Sequence, residues 1–451
     1  MSLVDFNRLR EELAQTEPCV LAGRVTRASG IVVEAALPHV AVGTSCEIRA
    51  VGGHLVAAEV VGFSGPQAIL MPFGDVRGIG EGCAVIPRAS AGEIRVGPSL
   101  LGRVVDAAMR PLDGAGQPLL HARVPLHASP PPAMTRTRIS RPLVLGIRSI
   151  DACLTCGEGQ RLGIMAGPGV GKSVLMGMLA RSAEAEIIVV GLVGERGREV
   201  REFVERDLGR GLERSVVVVA TGDEPPLVRV RAAMAATAVA EYFRDRGKRV
   251  LLLIDSLTRV AMAQREIGLA AGEPPTSRGY PPSVFAMLPR LLERAGNSTG
   301  RGSITAMYTV LAEGDDLTDP VVDSSRSVLD GHIVLSRKLA QAGHFPAVDV
   351  LGSISRVMSD VASKAHKELA QAAREILAAY REAADLIEVG AYVAGTNPRV
   401  DKAVRCVHEV NAVLRQSPDE RFSLDQTLAA LRRALETPAP APAPANHGGA
   451  S

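Results

Sequence analysis

The spacing of apolar positions changes along the chain, and each change marks a different architecture. Leu3, Phe6, Leu9 and Leu13 fall on one helical face with Arg and Glu opposite, which predicts a short amphipathic helix within residues 1–18. From 19 to 95 the chain reads as short Val- and Ile-rich runs (CVLAGRVTRA, GIVVEAAL, SCEIRA, LVAAEVVGF, AILMPF) punctuated by Gly and Pro. That pattern predicts a small β-barrel or sandwich. Pro125, Pro130, Pro131, Pro132 and Pro142 then mark a non-helical linker over 96–144 that leads into the next unit.

Between 145 and 361 strands and helices alternate. RLGIMA (161–166), EIIVVGLV (186–193), SVVVVA (215–220), RVLLLI (249–254) and SITAMYTVL (303–311) are continuous apolar runs. Such runs suit parallel strands buried on both faces, so the fold class is α/β with a doubly wound core. From 362 to 437 the pattern becomes helical, and the Ala-Pro repeat of 438–451 predicts an extended, polyproline-like tail.

Composition narrows the field. Of 451 residues 46% are hydrophobic and 22% charged, which excludes global disorder. Lys+Arg 51 against Asp+Glu 49 leaves a net charge of +2, which argues against a nucleic-acid coat or a strongly basic membrane binder. Trp is absent and aromatics are 3%, so stacking platforms for single-stranded nucleic acid are scarce and no nucleic-acid partner is expected. No apolar run approaches the roughly 20 residues of a membrane span, and MSLVDFNRLREELAQTEP lacks the apolar stretch of a signal peptide. A cytoplasmic protein is expected. Cys153 and Cys156 form a CxxC, but no second ligand pair stands at zinc-site spacing and no thioredoxin-like pattern surrounds them, so they read as buried reduced thiols.

The run AGPGVGKS, Ala166 to Ser173, lies between a buried strand and a helix. This is the setting of a phosphate-binding loop formed by Gly167, Pro168, Gly169, Val170 and Gly171, whose glycines let the backbone curl so that successive N–H groups face phosphate oxygens. Lys172 would reach the β- and γ-phosphates and Ser173 would take a place on Mg²⁺, while the helix dipole adds positive charge. Ala166 holds a position where the strict pattern has Gly. Asp255, after the apolar run VLLLI, suits a second carboxylate on the metal side, with a helix cap as the bland alternative. Glu195 stands just past a strand end and reads as a general base, with Arg196 holding it or the γ-phosphate; a surface Glu–Arg pair is the competing interpretation.

Family resemblance adds roles that spacing cannot assign. PAVDVLGSIS (346–355) resembles the signature of the rotary ATP synthase α/β family, and GRVVDAAMRPLDG (102–114) the segment closing that family's N-terminal barrel. LGIRSIDACLTCGEGQRLGIMAGPGVGKS, VVGLVGERGREVREF, DSLTRVAMAQREIGLAAGEPPTSRGYPPSVFAMLPRLLERAG, TVLAEGDDLTDPVVDSSRSVLDGHIVLSRKLA and LIEVGAYVAGTNPRVDKAV look most like the type III protein-export ATPases of flagella and injectisomes. The resemblance runs from about residue 20 to 435. It implies a RecA-like core between an N-terminal β-barrel and a C-terminal helical domain, and ATP hydrolysis with Mg²⁺. Residue by residue it matches Lys172 and Ser173 to phosphate and Mg²⁺ ligands, Asp255 to the second metal carboxylate and Glu195 to the base. Arg356 matches the arginine finger given to the adjacent subunit, Phe345 the aromatic on adenine, and Val174 the apolar residue on the adenine side. It further implies a homohexameric ring, a stator-like regulator on the N-terminal helix, and a central stalk protein. The export gate and chaperone–substrate complexes would meet the C-terminal helices, with the ring peripheral to the cytoplasmic face of the inner membrane. The alternatives are a catalytic-type subunit of a rotary ATP synthase, an RNA translocase of the termination-factor type, and a ring component with a vestigial ATPase.

Overall fold

The computed structural model describes residues 22–88, 92–311 and 319–436. The helix expected within 1–18, Cys19 and the tail expected at 438–451 lie outside the described residues.

Six strands close into a barrel: β1 (Gly23–Ser29), β2 (Val32–Ala36), β3 (Ser45–Arg49), β4 (Leu55–Ser64), β5 (Gln67–Pro72) and β6 (Ala84–Arg88), in the order β1-β2-β5-β4-β3-β6 with β6 paired back to β1. Alternation builds it: in β4, Val56, Ala58 and Val60 are buried while Leu55 and Ala57 are exposed. Closure removes the open sheet edges that a sandwich would have to protect. β4 bulges between Val60 and Gly62, and a Cβ at Gly62 would lie 3.4 Å from the Cβ of Ala271, so the barrel wall meets the core domain there.

The stretch 96–144 is more than a linker. β7 (Glu93–Val96) pairs antiparallel with β9 (Ala122–Pro125), and between them β8 (Arg103–Asp106) becomes the outer strand of the core sheet. RVVD is too short to announce itself by period; only its parallel pairing with residues 216–219 makes it a strand.

The core sheet has nine strands. Its path is β19 (Val348–Ser355), β18 (Gly331–Leu335), β12 (Arg161–Ala166), β17 (Ser303–Leu311), β15 (Arg249–Asp255), β13 (Ile187–Glu195), β14 (Ser215–Thr221) and β8, with β16 (Gly296–Asn297) off this path on β17. The two-residue strands β10 (Pro142–Leu143) and β11 (Cys156–Gly157) pair separately. Neighbours on the main path run parallel except β19, which is antiparallel to β18.

Helices cover both faces. Within β15, Val250, Leu252 and Ile254 pack with α2 (Pro226–Arg244), whereas Leu251 and Leu253 pack with α1 (Lys172–Ser182). Burial on both sides is why this strand reads as an unbroken apolar run. α3 (Leu257–Ala270) and α4 (Pro282–Leu292) lie on the α2 side. At the C-terminus, α5 (Lys364–Glu388), α6 (Pro398–Leu414) and α7 (Leu424–Leu435) send Ala373, Ile376, Ala403, Val410 and Leu431 into the same apolar cluster as Leu175 and Leu179 of α1. No helix among the described residues is long and apolar enough to cross a membrane.

One buried ion pair ties the segment after β9 to the core. Arg294 Nη2 and Nε donate to Glu241 Oε2 and Oε1 at 2.6 and 3.0 Å, and Arg294 Nη1 donates to the Leu126 carbonyl at 2.7 Å. Arg294→Met should lower unfolding stability by about 3–5 kcal/mol, because it strands a buried Glu241 charge. Arg294→Met with Glu241→Leu should recover much of that loss in a thermal melt. A double variant no more stable than the single would show that the Leu126 contact carries the effect.

Candidate functional site

Every main-path parallel strand of the core sheet ends on one edge, where ligands bind in sheets of this type. Ala166 ends β12, and the chain then curls through Gly167–Gly171 into α1. Gly169 and Gly171 have φ of 78° and 88°, a backbone that disfavours any side chain. Gly167 and Val170 are buried, while Pro168, Gly169 and Ser173 are exposed at the mouth of the loop. No side chain caps α1, so its first N–H groups remain available to an anion.

Lys172, at the first turn of α1, is the centre of the site. Its Nζ donates to Asp255 Oδ1 at 2.5 Å and to Glu195 Oε1 at 3.2 Å. Thr309 Oγ1 donates to the same Asp255 oxygen at 2.6 Å. Burial works to lower the Lys172 pKa, but the charges of Asp255 and then Glu195, with their hydrogen bonds, outweigh it and hold the ammonium above its ordinary value. Asp255 is almost completely buried at the end of β15. Glu195 reaches the cluster because Gly194, at φ 75°, breaks the register of β13 against β14 one residue earlier.

The geometry changes one expected role. Arg196 does not hold Glu195: its guanidinium is three-quarters exposed and pairs with Glu199 at 3.5 Å, one turn along the helix it precedes. Lys172 is the cation on Glu195 instead. Two further residues join the site. Thr309 is a polar residue inside the apolar run of β17, and only the pairing of Ile254 with Tyr308 brings it beside Asp255. Arg259, on α3, packs so closely on Gly194 that a Cβ there would lie 2.8 Å from the Arg259 Cβ. Its position one turn after Asp255 is the signal that would have found it.

Phe345 and Arg356 sit at opposite ends of β19. Leu335 of β18 pairs with both Ala166 and Val348, so the start of β19 lies at the phosphate-loop edge. There a Cβ at Gly171 would stand 3.6 Å from the Phe345 ring, which is 46% exposed. Val174, half-buried, packs from α1 beneath this region. Arg356 follows Ser355 at the other edge, exposed, with its N–H donating to the Asp330 carbonyl at 3.0 Å. Because β19 bulges opposite His332–Val334, Arg356 stands level with Asp330, and at about 3.3 Å per residue of β18 it lies roughly 15 Å along the sheet from the phosphate loop of its own chain.

The donors near the loop are hard oxygens: the Ser173 hydroxyl, the Asp255 carboxylate and the Thr309 hydroxyl. Among the described residues no group of three or more His, Cys, Asp or Glu side chains is gathered for a metal. The set therefore suits Mg²⁺, which keeps waters and substrate phosphates among its ligands, better than a metal that needs an all-protein cage. The CxxC cysteines are far less reactive in character: burial pushes the Cys153 thiol up to about 12 and raises Cys156 as well.

Comparison with known proteins agrees along the chain. The nucleotide-binding domain of the ATP synthase alpha/beta family matches residues 146–355 and the beta-barrel domain of that family residues 25–88. The T3SS EscN ATPase C-terminal domain matches 362–433. The flagellum-specific ATP synthase of Bacillus subtilis is 51% identical over 91% of this chain and 94% of its own length. The type 3 secretion system ATPase of Sinorhizobium fredii is 50% identical over 92% of each. The assembled ATPase EscN in complex with its central stalk EscO, from the enteropathogenic E. coli type III secretion system, superposes with a TM-score of 0.84 at 43% identity, over 92% of this chain and all of that one.

With both thiols buried and protonated, Cys153 and Cys156 should resist an aromatic disulfide reagent at pH 8 in the native protein and react fully after denaturation. Rapid labelling of both with unchanged circular dichroism would show a reactive pair.

Proposed function

The chain belongs to the ATP synthase alpha/beta family and, within it, to the type III protein-export ATPases, and from that premise we propose how it works: it hydrolyses ATP to energise chaperone release, unfolding and export of protein substrates, in a flagellar or injectisome apparatus. The observation that carries the reading is the contact of Lys172 with both Asp255 and Glu195 beside the phosphate loop.

In this reading the backbone N–H groups of residues 167 and 169–173 hold the phosphates. The Lys172 ammonium transfers from the two carboxylates to the β- and γ-phosphates when ATP enters, which frees Glu195 to act. The water oxygen attacks the γ-phosphorus, the bond to the β–γ bridging oxygen breaks, and Glu195 takes the water proton. Ser173 and Asp255 would hold Mg²⁺, which when bound neutralises phosphate charge. The half-exposed Phe345 ring offers its face to the purine, with Val174 on the apolar side. Arg196, exposed and paired with Glu199, would turn toward the γ-phosphate once nucleotide is bound.

Arg356 acts on a neighbouring subunit of a homohexamer. Its place at the far edge of its own sheet supports this, since an arginine there is out of reach of its own phosphate loop. A central stalk would bind the ring, as assembled EscN is in complex with its central stalk EscO. The export gate and chaperone–substrate complexes would meet the C-terminal helices, where Leu386, Val389 and Val393 are exposed near the α5–α6 turn. A stator-like regulator would take the N-terminal segment. The ring would work in the cytoplasm, peripheral to the inner membrane.

Glu195→Gln keeps shape and loses basicity. ATP should still bind by calorimetry while turnover falls at least about 10²-fold; loss of binding instead would give Glu195 a structural role. Arg356→Ala should bind ATP nearly normally and lose on the order of 10³-fold in turnover. Mixing Arg356→Ala with Lys172→Ala subunits that are shown to exchange should restore activity, because a mixed interface joins an intact loop to an intact finger. A monomer locked by an interface substitution that turns over ATP as fast as the assembled ring would rule out the finger.

A further inference from the structure

Phe345 is a poorly packed side chain at a demanding place. Nearly half of it is exposed, so the ring is aimed by its backbone. That backbone is held at two points: the His344 N–H donates to the Leu339 carbonyl at 2.9 Å, and the Phe345 carbonyl accepts from the Gln416 N–H at 2.9 Å. The second anchor comes from another domain, since Gln416 follows the end of α6 at Leu414.

Gln416 is itself fixed with unusual completeness. It is 4% exposed. Its Oε1 accepts from the Arg148 N–H at 2.9 Å, and its Nε2 donates to the Gly146 carbonyl at 2.9 Å and the Glu420 carbonyl at 3.0 Å. Both amide hydrogens and the carbonyl oxygen are engaged. Such a network specifies one arrangement, because any shift would leave buried donors and acceptors unpaired. The segment 415–422 is pinned at two more points. Arg181, in the last turn of α1, donates to the Pro418 carbonyl at 2.9 Å, and the Arg148 guanidinium stacks 3.7 Å from the Phe422 ring centroid. Residues 415–422 thus form a strap from α6 across the core to α7, touching the far end of the phosphate-loop helix and the backbone of Phe345.

We propose that Gln416 is a positioning residue: it fixes the Phe345 ring over the phosphate loop and so makes purine affinity depend on how the C-terminal helices sit on the core. This rests on the reading of Phe345 as the base platform. Physical docking at the distal end of α5 and α6 would then reach the nucleotide through the strap, with no side chain of the strap touching the phosphates.

The test separates base from phosphates, using the full chain and calorimetry with two probes, ADP and inorganic tripolyphosphate. Gln416→Ala should weaken ADP about tenfold, the order of one lost base–aromatic stack, and leave tripolyphosphate nearly unchanged. Phe345→Ala should do the same, and the double variant should lose no more than about twofold beyond either single, because both remove one interaction. Should Gln416→Ala not fold, Arg181→Ala loosens the same strap from a partly exposed position and should give a smaller loss confined to ADP. Equal weakening of both probes, or fully additive losses in the double variant, would overturn the proposal. So would parent-like ADP affinity in folded Gln416→Ala, or in Arg181→Ala where it stands in. If Phe345→Ala itself binds ADP like the parent, the base platform fails and the proposal with it. A loss in Phe345→Ala alone overturns only the role of Gln416.

Discussion

Two carboxylates on a nearly dry strand edge either share a proton or need a cation between them, and here Lys172 is that cation. Asp255 ends β15 and Glu195 ends β13, neighbouring strands in the sheet. Both would repel in each other's presence, and Asp255 is almost fully buried. The ammonium from α1 holds them apart from that conflict, and Thr309 supplies a further hydrogen bond to Asp255. In the proposed mechanism an incoming triphosphate would compete for this same ammonium.

The remainder of the core serves that edge. Parallel pairing brings the ends of β12, β13 and β15 to one level, and the aliphatic residues on both faces make the sheet stiff enough to keep them there. The reversal of β19 has a different consequence. One eight-residue strand carries Phe345 at its phosphate-loop end and Arg356 at the other. Phe345 and Arg356 therefore cannot meet at one site within a single chain.

The segments around the core are joined to it by shared sheet and apolar packing and by specific polar contacts. The segment 92–126 adds the outer strand β8 and is fastened by Arg294 and Glu241. The C-terminal helices share an apolar cluster with α1 and reach the site through the strap at 415–422. Each attachment uses a buried polar group with its partners satisfied, which favours one docking geometry over many.

By itself the sequence determined the domain order, the α/β class and most of the site. Local signals sufficed for these: strands buried on both faces must be continuously apolar, a phosphate loop needs its glycines in a row, and Lys172, Ser173, Asp255 and Glu195 stand at ends of such runs. Family resemblance, not spacing, pointed to Phe345 and Arg356. Tertiary structure alone decided the barrel over the sandwich, the recruitment of β8 from an expected linker, and the cation on Glu195. Arg196 adjoins Glu195 in sequence, yet successive residues at a strand end point to different sides, so the neighbour in space is Lys172. Thr309 and Gln416 were invisible for the same reason. A polar residue in an apolar run or past a helix end has no local meaning until pairing and packing bring its partners, which here lie 54 and 268 residues away.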